Sequence, residues 1–329
     1  MNYIFAFIGE FGYELFNWQG VVRKWANNYK KDNDKIIICS RKGLDILYEF
    51  CDFYIDISEV ESLKSSVADC YTSYVFLNGT GPHLPRSEWQ AARAGEHITN
   101  IKNDIMALVN EQISTYSLET KWVWSCDYEI IEGLHFGLER PGGIGGIYNV
   151  GHNQLKVNNN EYVKLEYNEM QRSPVEEKLE FSLNEDYILC QTGFRIGYSL
   201  SDLKPDYSKI LQQPRDIKVV LMDFKTNRLN DSLSAFNVKG DRFYNIQVSS
   251  LAEQGVLINY ATRCIFFTEG HLRSHTYLPP MFGKDVDVIA DEKIFSLHEA
   301  PLSFWNKNVF KFGGQMFAIP IRESIDNND

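Results

Sequence analysis

Short, wholly apolar runs alternate along this chain with stretches whose apolar residues recur three and four positions apart. Residues 3–8 (YIFAFI) contain no polar position apart from the Tyr3 hydroxyl, which marks a strand covered on both faces. After a turn at residues 9–13, Leu15, Trp18, Val22 and Trp25 share one helical face, so a helix is expected through about Tyr29. Residues 35–39 (KIIIC) read as a second strand, 44–50 as a helix and 53–57 as a short strand. Residues 74–77 (YVFL) read as a strand running into the turn Asn78-Gly79-Thr80-Gly81-Pro82, and 98–113 as a helix. From Trp122 to about Tyr167 the periodicity is lost, and the Gly-rich 141–146 and polar 158–160 read as loops.

Residues 171–185 are polar and acidic and contain Pro174, so they read as a link between domains. The alternation then restarts. Strands are expected at 187–191, 218–222, 243–247, 264–268 and 286–289, with helices at 207–212, 230–236, 251–260 and 272–281. Short β-rich runs separated by helices imply parallel βαβ units. Two such sets in tandem predict an α/β chain of two Rossmann-like domains facing across a cleft, 1–170 and 171–329. The aromatic tail after Ser303 (Phe304, Trp305, Phe310, Phe312, Phe317) is expected to pack back onto a domain.

Composition narrows the partners. The chain has 329 residues, enough for two domains, and 44% of positions are hydrophobic, which excludes wholesale disorder. A net charge of -11 argues against a general nucleic-acid coat but leaves room for a local basic cleft. The sequence shows no apolar run long enough to span a membrane. Glu10 and Glu14 interrupt the first apolar stretch, so it is not read as a secretion signal. The six cysteines show no CxxC pair and no Cys/His ligand spacing, which argues against structural zinc. Cys39, Cys190 and Cys264 lie inside strand-like runs and suit buried free thiols in a reducing cytoplasm.

Ligands of open α/β sheets sit beyond the carboxyl ends of the strands, and that rule selects four loops. In the first, Gly9-Glu10-Phe11-Gly12-Tyr13-Glu14, the glycines permit a tight turn and close approach of a ligand. Acids here favour the helix dipole; alternatively one carboxylate, Glu14 in preference to Glu10, serves as general base on an acceptor hydroxyl. In the second, Arg195 stands between Gly193 and Gly197, placed to grip a phosphate, with Lys204 nearby. The alternative there is a loop of solvated charges. The third, Glu269-Gly270-His271-Leu272-Arg273-Ser274-His275, opens a helix whose free N–H groups suit an anion. His271, Arg273, Ser274 and His275 add donors, and Glu269 is a candidate partner for a ribose or sugar hydroxyl. Its alternative is a locally satisfied helix cap. The fourth offers Gly79, Gly81 and His83, with His83 either a cleft-lining base or a surface residue. Gly142–Gly146 does not follow a strand and lacks the spacing of a dinucleotide loop or a P-loop. Asp285-Val286-Asp287 has the form of a metal-binding DxD, but its alternation fits a strand entrance. Trp18, Trp25 and Tyr29 read as core.

The opening GEFGYELFNWQGVVRKW with KIIICSRKGLDILYEF resembles the N-terminal domain of glycosyltransferase-like proteins of bacteria and phages. SLAEQGVLINYATRCIFFTEGHLRSHTYLPPMFGKDVDVI resembles the donor half of GT-B-type glycosyltransferases, although Glu269-Gly270-His271 stands where many donor loops have Gly-Gly or Gly-x-Gly. The resemblance implies transfer of a sugar from a nucleotide-sugar, with no tightly bound cofactor or metal, because cationic side chains and a helix dipole stabilise the leaving diphosphate. It implies donor binding by Arg195, Lys204, Arg273 and residues 270–274 of the second domain. Acceptor contacts are implied for Gly12, Glu14 and Gly79–His83, with Gly9, Glu10 and Tyr13 on the same side. The acceptor would be a surface glycan or lipid-linked sugar, or hydroxymethylated cytosine in phage DNA, whose base must be flipped or exposed. Rivals are an NAD-type oxidoreductase or epimerase, which would need a GxGxxG, and a two-domain sugar or nucleotide binding protein without catalysis.

Overall fold

The apolar run at the start of the chain forms β1 (Asn2–Ala6), and the computed structural model places it inside a four-stranded parallel sheet of order β3-β2-β1-β4. Its partners are β2 (Lys35–Ser40) and β4 (Thr120–Trp124), with β3 (Phe53–Asp56) beyond β2. The structure describes residues 1–8, 14–64, 93–113, 119–127, 129–136, 161–193, 213–224, 240–268, 274–290, 306 and 311–320. The chain divides into two units, Met1–Tyr162 and Val163–Asp329, so the division falls at 162/163 where 170/171 was expected.

Because β1 is apolar on both faces, each face must be covered. Ile4, Ala6 and Ile8 pack with Ile37, Cys39, Ile55 and Trp124 beneath Ile101, Ile105 and Val109 of α3 (Arg93–Ile113). On the other face Phe5 meets Trp25 of α1 (Gln19–Tyr29) at 5.4 Å and Phe136 at 5.7 Å between ring centroids. Leu15, Trp18, Val22 and Trp25 are all buried, as the helical spacing required. Tyr29 is not core: it is 39% exposed at the end of α1. The short helix α2 (Glu61–Lys64) follows β3.

Three expectations for the first unit and its boundary need correction. Residues 44–50 form only a 3₁₀ turn, Asp45–Leu47, since Gly43 (φ 77°) starts the segment in a turn and few residues are left before β3. The stretch after Trp122 is not structureless. Residues 120–124 (TKWVW) make β4, with Trp122 and Trp124 stacked at 4.9 Å, and a hairpin of β5 (Glu129–Ile131) and β6 (Leu134–Phe136) follows. The supposed link contains α4 (Arg172–Leu179), whose Val175 and Leu179 are buried in the second unit.

The second unit is a six-stranded parallel sheet of order β12-β11-β10-β7-β8-β9. Its strands are β7 (Tyr187–Gly193), β8 (Lys218–Phe224), β9 (Phe243–Val248), β10 (Arg263–Thr268), β11 (Val286–Ala290) and β12 (Met316–Pro320). Ile188, Cys190, Val219, Leu221, Ile265, Phe267 and Ile289 form the core on one face. Helices α5 (Leu251–Tyr260) and α6 (Ser274–Met281) lie against the other, where Tyr187 donates to the Leu257 carbonyl at 2.5 Å. Ser250 caps α5: its Oγ accepts the Glu253 N–H at 3.1 Å, and Glu253 reaches back to the Ser249 N–H at 2.7 Å. Of the tail, Phe304, Trp305 and Phe310 lie outside the described residues, and Phe317 is exposed rather than packed. Residues 316–320 add a strand beside β11, held by Asn306, whose side chain bonds both the N–H (3.0 Å) and the carbonyl (3.1 Å) of Met316. Gly314 lets this chain pass the Lys284 backbone, from whose oxygen a Cβ would stand only 2.4 Å away. The strand expected at 74–77 and the helices expected at 207–212 and 230–236 lie outside the described residues.

Asp52 fastens the amino end of the first sheet. It accepts from Lys30 Nζ (2.7 Å), Lys35 Nζ (3.0 Å) and the Ile36 N–H (2.9 Å). Burial alone would raise its pKa, but Lys30, the Ile36 N–H and Lys35 together outweigh it and hold the carboxyl at about 2. A depressed carboxylate pKa stabilises the fold above the ordinary Asp range and loses that contribution as pH falls through it. Asp52→Asn should therefore cost on the order of 1–2 kcal/mol at pH 7 by denaturant titration, and the difference from wild type should vanish as pH falls from about 4 to about 2.

Candidate functional site

In each unit the chain steps outward from its first strand, then returns to that strand's other side. The crossings put the switch points between β1 and β4 in the first unit and between β7 and β10 in the second. Crevices at the carboxyl ends of such strand pairs are where open α/β sheets bind ligands.

At the second unit's switch point, Gly193 at the end of β7 pairs in register with Thr268 at the end of β10. The two loops singled out for anion binding, after 193 and after 268, therefore leave from neighbouring backbone positions. Ser274 is the first residue of α6, so this helix opens directly after the second loop, with its N–H groups at the carboxyl end of the sheet. His275, in its first turn, stacks on Phe266 of β10 at 5.9 Å with a 24° interplanar angle. Its Nε2 lies 3.3 Å from the Phe267 carbonyl oxygen, which orients the ring. Arg195, Lys204, Glu269, Gly270, His271 and Arg273 lie outside the described residues. Gln191, two residues before the end of β7, was not singled out in the sequence, although a polar residue within YILCQ was visible there. It is buried, and its Oε1 has no hydrogen-bond partner.

At the first unit's switch point, Ser125 just past β4 ties down the exit of β1. The Ile8 N–H donates to Ser125 Oγ at 2.7 Å, and the hydroxyl donates to the Ile8 carbonyl at 2.9 Å. Glu14 opens a π-helical turn, Glu14–Trp18, that leads into α1. Its carboxyl is fully buried, and Oε1 accepts both the Ser40 hydroxyl, at the end of β2, and the Tyr48 hydroxyl at 2.6 Å. Oε2 has no hydrogen-bond partner. Burial raises the Glu14 pKa above the usual range, while Arg41 and the Ser40 and Tyr48 hydroxyls pull it back. A carboxyl poised this way can hold or accept a proton nearer neutrality than a solvated Glu. Ser40, Arg41 and Tyr48 had no motif to mark them; only the fold brings them to Glu14. Gly9, Glu10, Gly12, Tyr13, Gly79, Gly81 and His83 lie outside the described residues.

The DxD pair lies at the opposite end of the second sheet. Asp285 accepts the Gln315 N–H at 2.9 Å and Asp287 pairs with Arg263, beside a cavity of about 430 Å³ lined also by Lys284 and Phe317. Both carboxylates are engaged as a strand entrance, in keeping with their alternation in the sequence. Among the described residues no group of His, Cys, Asp and Glu side chains is arranged to hold a metal ion, and no helix is long and apolar enough to cross a membrane.

No family model matches the chain, and no curated protein matches it in sequence. Solved structures do. A glycosyl transferase of family 9 from Veillonella parvula DSM 2008 matches with a TM-score of 0.51 and 9% identity, over 97% of this chain and 86% of its own. The ADP-heptose lps heptosyltransferase II of E. coli matches with a TM-score of 0.49 and 9% identity, over 96% and 90%. A putative UDP-N-acetylglucosamine 2-epimerase from Listeria monocytogenes matches with a TM-score of 0.36 and 14% identity, over 88% and 79%. The first of these establishes the fold as two Rossmann-like units of the GT-B kind, in agreement with the two parallel sheets.

A carboxyl whose pKa is raised on folding stabilises the protein fully below the ordinary Glu range and loses that contribution as pH rises through the raised value. Glu14→Gln keeps an acceptor for Ser40 and Tyr48 without the titration. Its melting temperature should therefore gain on that of the wild type as pH rises from 4 to 8, measured by calorimetry; a constant difference across that range would show that Glu14 titrates normally.

Proposed function

We propose that this chain is a nucleotide-sugar-dependent glycosyltransferase. The observation that carries the reading is the second unit's switch point: Gly193 and Thr268 are paired in register, so the Arg195 loop and the loop opening α6 start side by side. The fold shared with a family 9 glycosyl transferase along nearly the whole chain supports it. The donor binds the second unit. Its diphosphate is gripped by Arg195, Lys204 and Arg273 and by the N-terminal end of α6 through residues 270–275, with Glu269 on a ribose or sugar hydroxyl. The acceptor hydroxyl attacks the anomeric carbon, the bond to the diphosphate breaks, and the nucleoside diphosphate leaves with the electron pair. Fixed positive charge and helix N–H groups stabilise that departing charge, so the reaction needs no metal or tightly bound cofactor. Where the configuration inverts, a base takes the acceptor proton; Glu14, with its raised pKa and unpartnered Oε2, is our choice ahead of His83.

For the acceptor we favour a glycan or lipid-linked sugar. The net charge of -11 disfavours a DNA backbone, so hydroxymethylated phage DNA is the lesser candidate. The buried thiols Cys39, Cys190 and Cys264 support a cytoplasmic setting.

The reading is tested by thermal shift with UDP, ADP, GDP and CMP and their sugar conjugates, with and without Mg²⁺. One nucleotide should raise the melting temperature without Mg²⁺, and its sugar conjugate should be turned over with a glycan acceptor. Stabilisation by free sugars alone would point to a binding protein instead. Arg195→Ala should weaken the stabilising nucleotide about 10- to 100-fold, the cost of a charge-assisted phosphate contact; unchanged affinity by calorimetric titration would remove Arg195 from the site.

A further inference from the structure

Gln191 occupies an interior strand where an apolar residue would serve stability better. Among the described residues of the second unit it alone buries a side-chain polar atom, Oε1, with no hydrogen-bond partner, and it is 5% exposed. Its partner across the strand pair is Phe266, so the two side chains share one face of the sheet, the face on which His275 stacks on Phe266. Its neighbour on β8 is the buried Met222, and Tyr187 and Leu189 precede it on the same face of β7. Tyr187 has an acceptor for its hydroxyl in the Leu257 carbonyl, whereas the Gln191 oxygen has no donor. An unsatisfied buried acceptor is destabilising, and an isosteric Met would remove that cost.

The acceptor's chemistry narrows what it meets. A carboxamide oxygen is uncharged and accepts only, so it repels phosphate and carboxylate oxygens and suits a hydroxyl. We propose that Gln191 is a specificity-determining residue of the second unit's switch-point site, its Oε1 accepting a hydrogen bond from a hydroxyl of the bound ligand. This rests on the glycosyltransferase reading, in which the ligand brings hydroxyls from two sources, the ribose and the carried sugar.

The test compares wild type with Gln191→Met and Gln191→Asn, titrating calorimetrically with the nucleoside diphosphate that stabilises the protein and with its sugar conjugate. Gln191→Met should keep or raise the melting temperature and bind the sugar conjugate about tenfold more weakly. Equal weakening of the nucleoside diphosphate places the contact on the ribose, and weakening of the conjugate alone places it on the carried sugar. Gln191→Asn withdraws the amide by one methylene while keeping its polarity, so it should show the same loss even if the Met variant folds poorly. Wild-type affinity for both ligands in these variants would overturn the assignment, as would a fall in melting temperature with affinities unchanged. If the wild type binds no member of the panel, the transferase reading falls and this assignment with it; wild-type binding with indifferent variants overturns this assignment alone.

Discussion

Parallel pairing of β10 with β7 is the constraint on which the second unit depends. A parallel neighbour cannot be reached by a tight turn, so the chain must cross the sheet to arrive beside β7. Once it does, the register of Thr268 with Gly193 brings together two loop origins that lie far apart in sequence. Both loop origins take their position from that one ladder of hydrogen bonds. The apolar faces of Ile188, Cys190, Ile265 and Phe267 hold the ladder in place, because slipping one residue would turn them away from the core.

The first unit solves the corresponding problem with buried polar groups. Ser125 bonds both the N–H and the carbonyl of Ile8, joining the exits of β1 and β4. Glu14 ties the start of its helical turn to the end of β2 through Ser40 and to Tyr48. Such a network is costly to bury unless its members satisfy one another, and once satisfied it fixes geometry more sharply than apolar packing does. Ile8 and Glu14 are thus both held by hydroxyls, Ile8 by that of Ser125 and Glu14 by those of Ser40 and Tyr48.

The strands were legible where burial on both faces left an uninterrupted apolar run, as in YIFAFI, KIIIC, KVVLM and CIFFT. The edge strands β3 and β9 were legible as well, but β4 and β12 were not. In β4, Lys121 faces out toward Glu129 and only Trp122, Val123 and Trp124 carry an apolar signal, too short to stand apart from the surrounding loops. In β12, Phe317 is 46% exposed, and the strand exists because Asn306 and the β11 backbone pair with it, which no local pattern reveals. For the site, Glu14 and the loop opening α6 could be found because sequence places them just after strands. Ser40, Tyr48, Ser125 and Gln191 could not be assigned that way, because their importance comes from partners, present or missing, that are distant along the chain.

The thiols lend themselves to a different use. Cys39 lies in the core of the first unit and Cys190 and Cys264 in that of the second, all reduced, all buried, and all with pKa values pushed upward by that burial. Cys51 and Cys126 are only partly covered. Among the described residues, an alkylating reagent would thus meet two partly covered thiols and a silent set inside. Mass spectrometry of the silent set would then clock the opening of each core separately, from reporters already built into the chain.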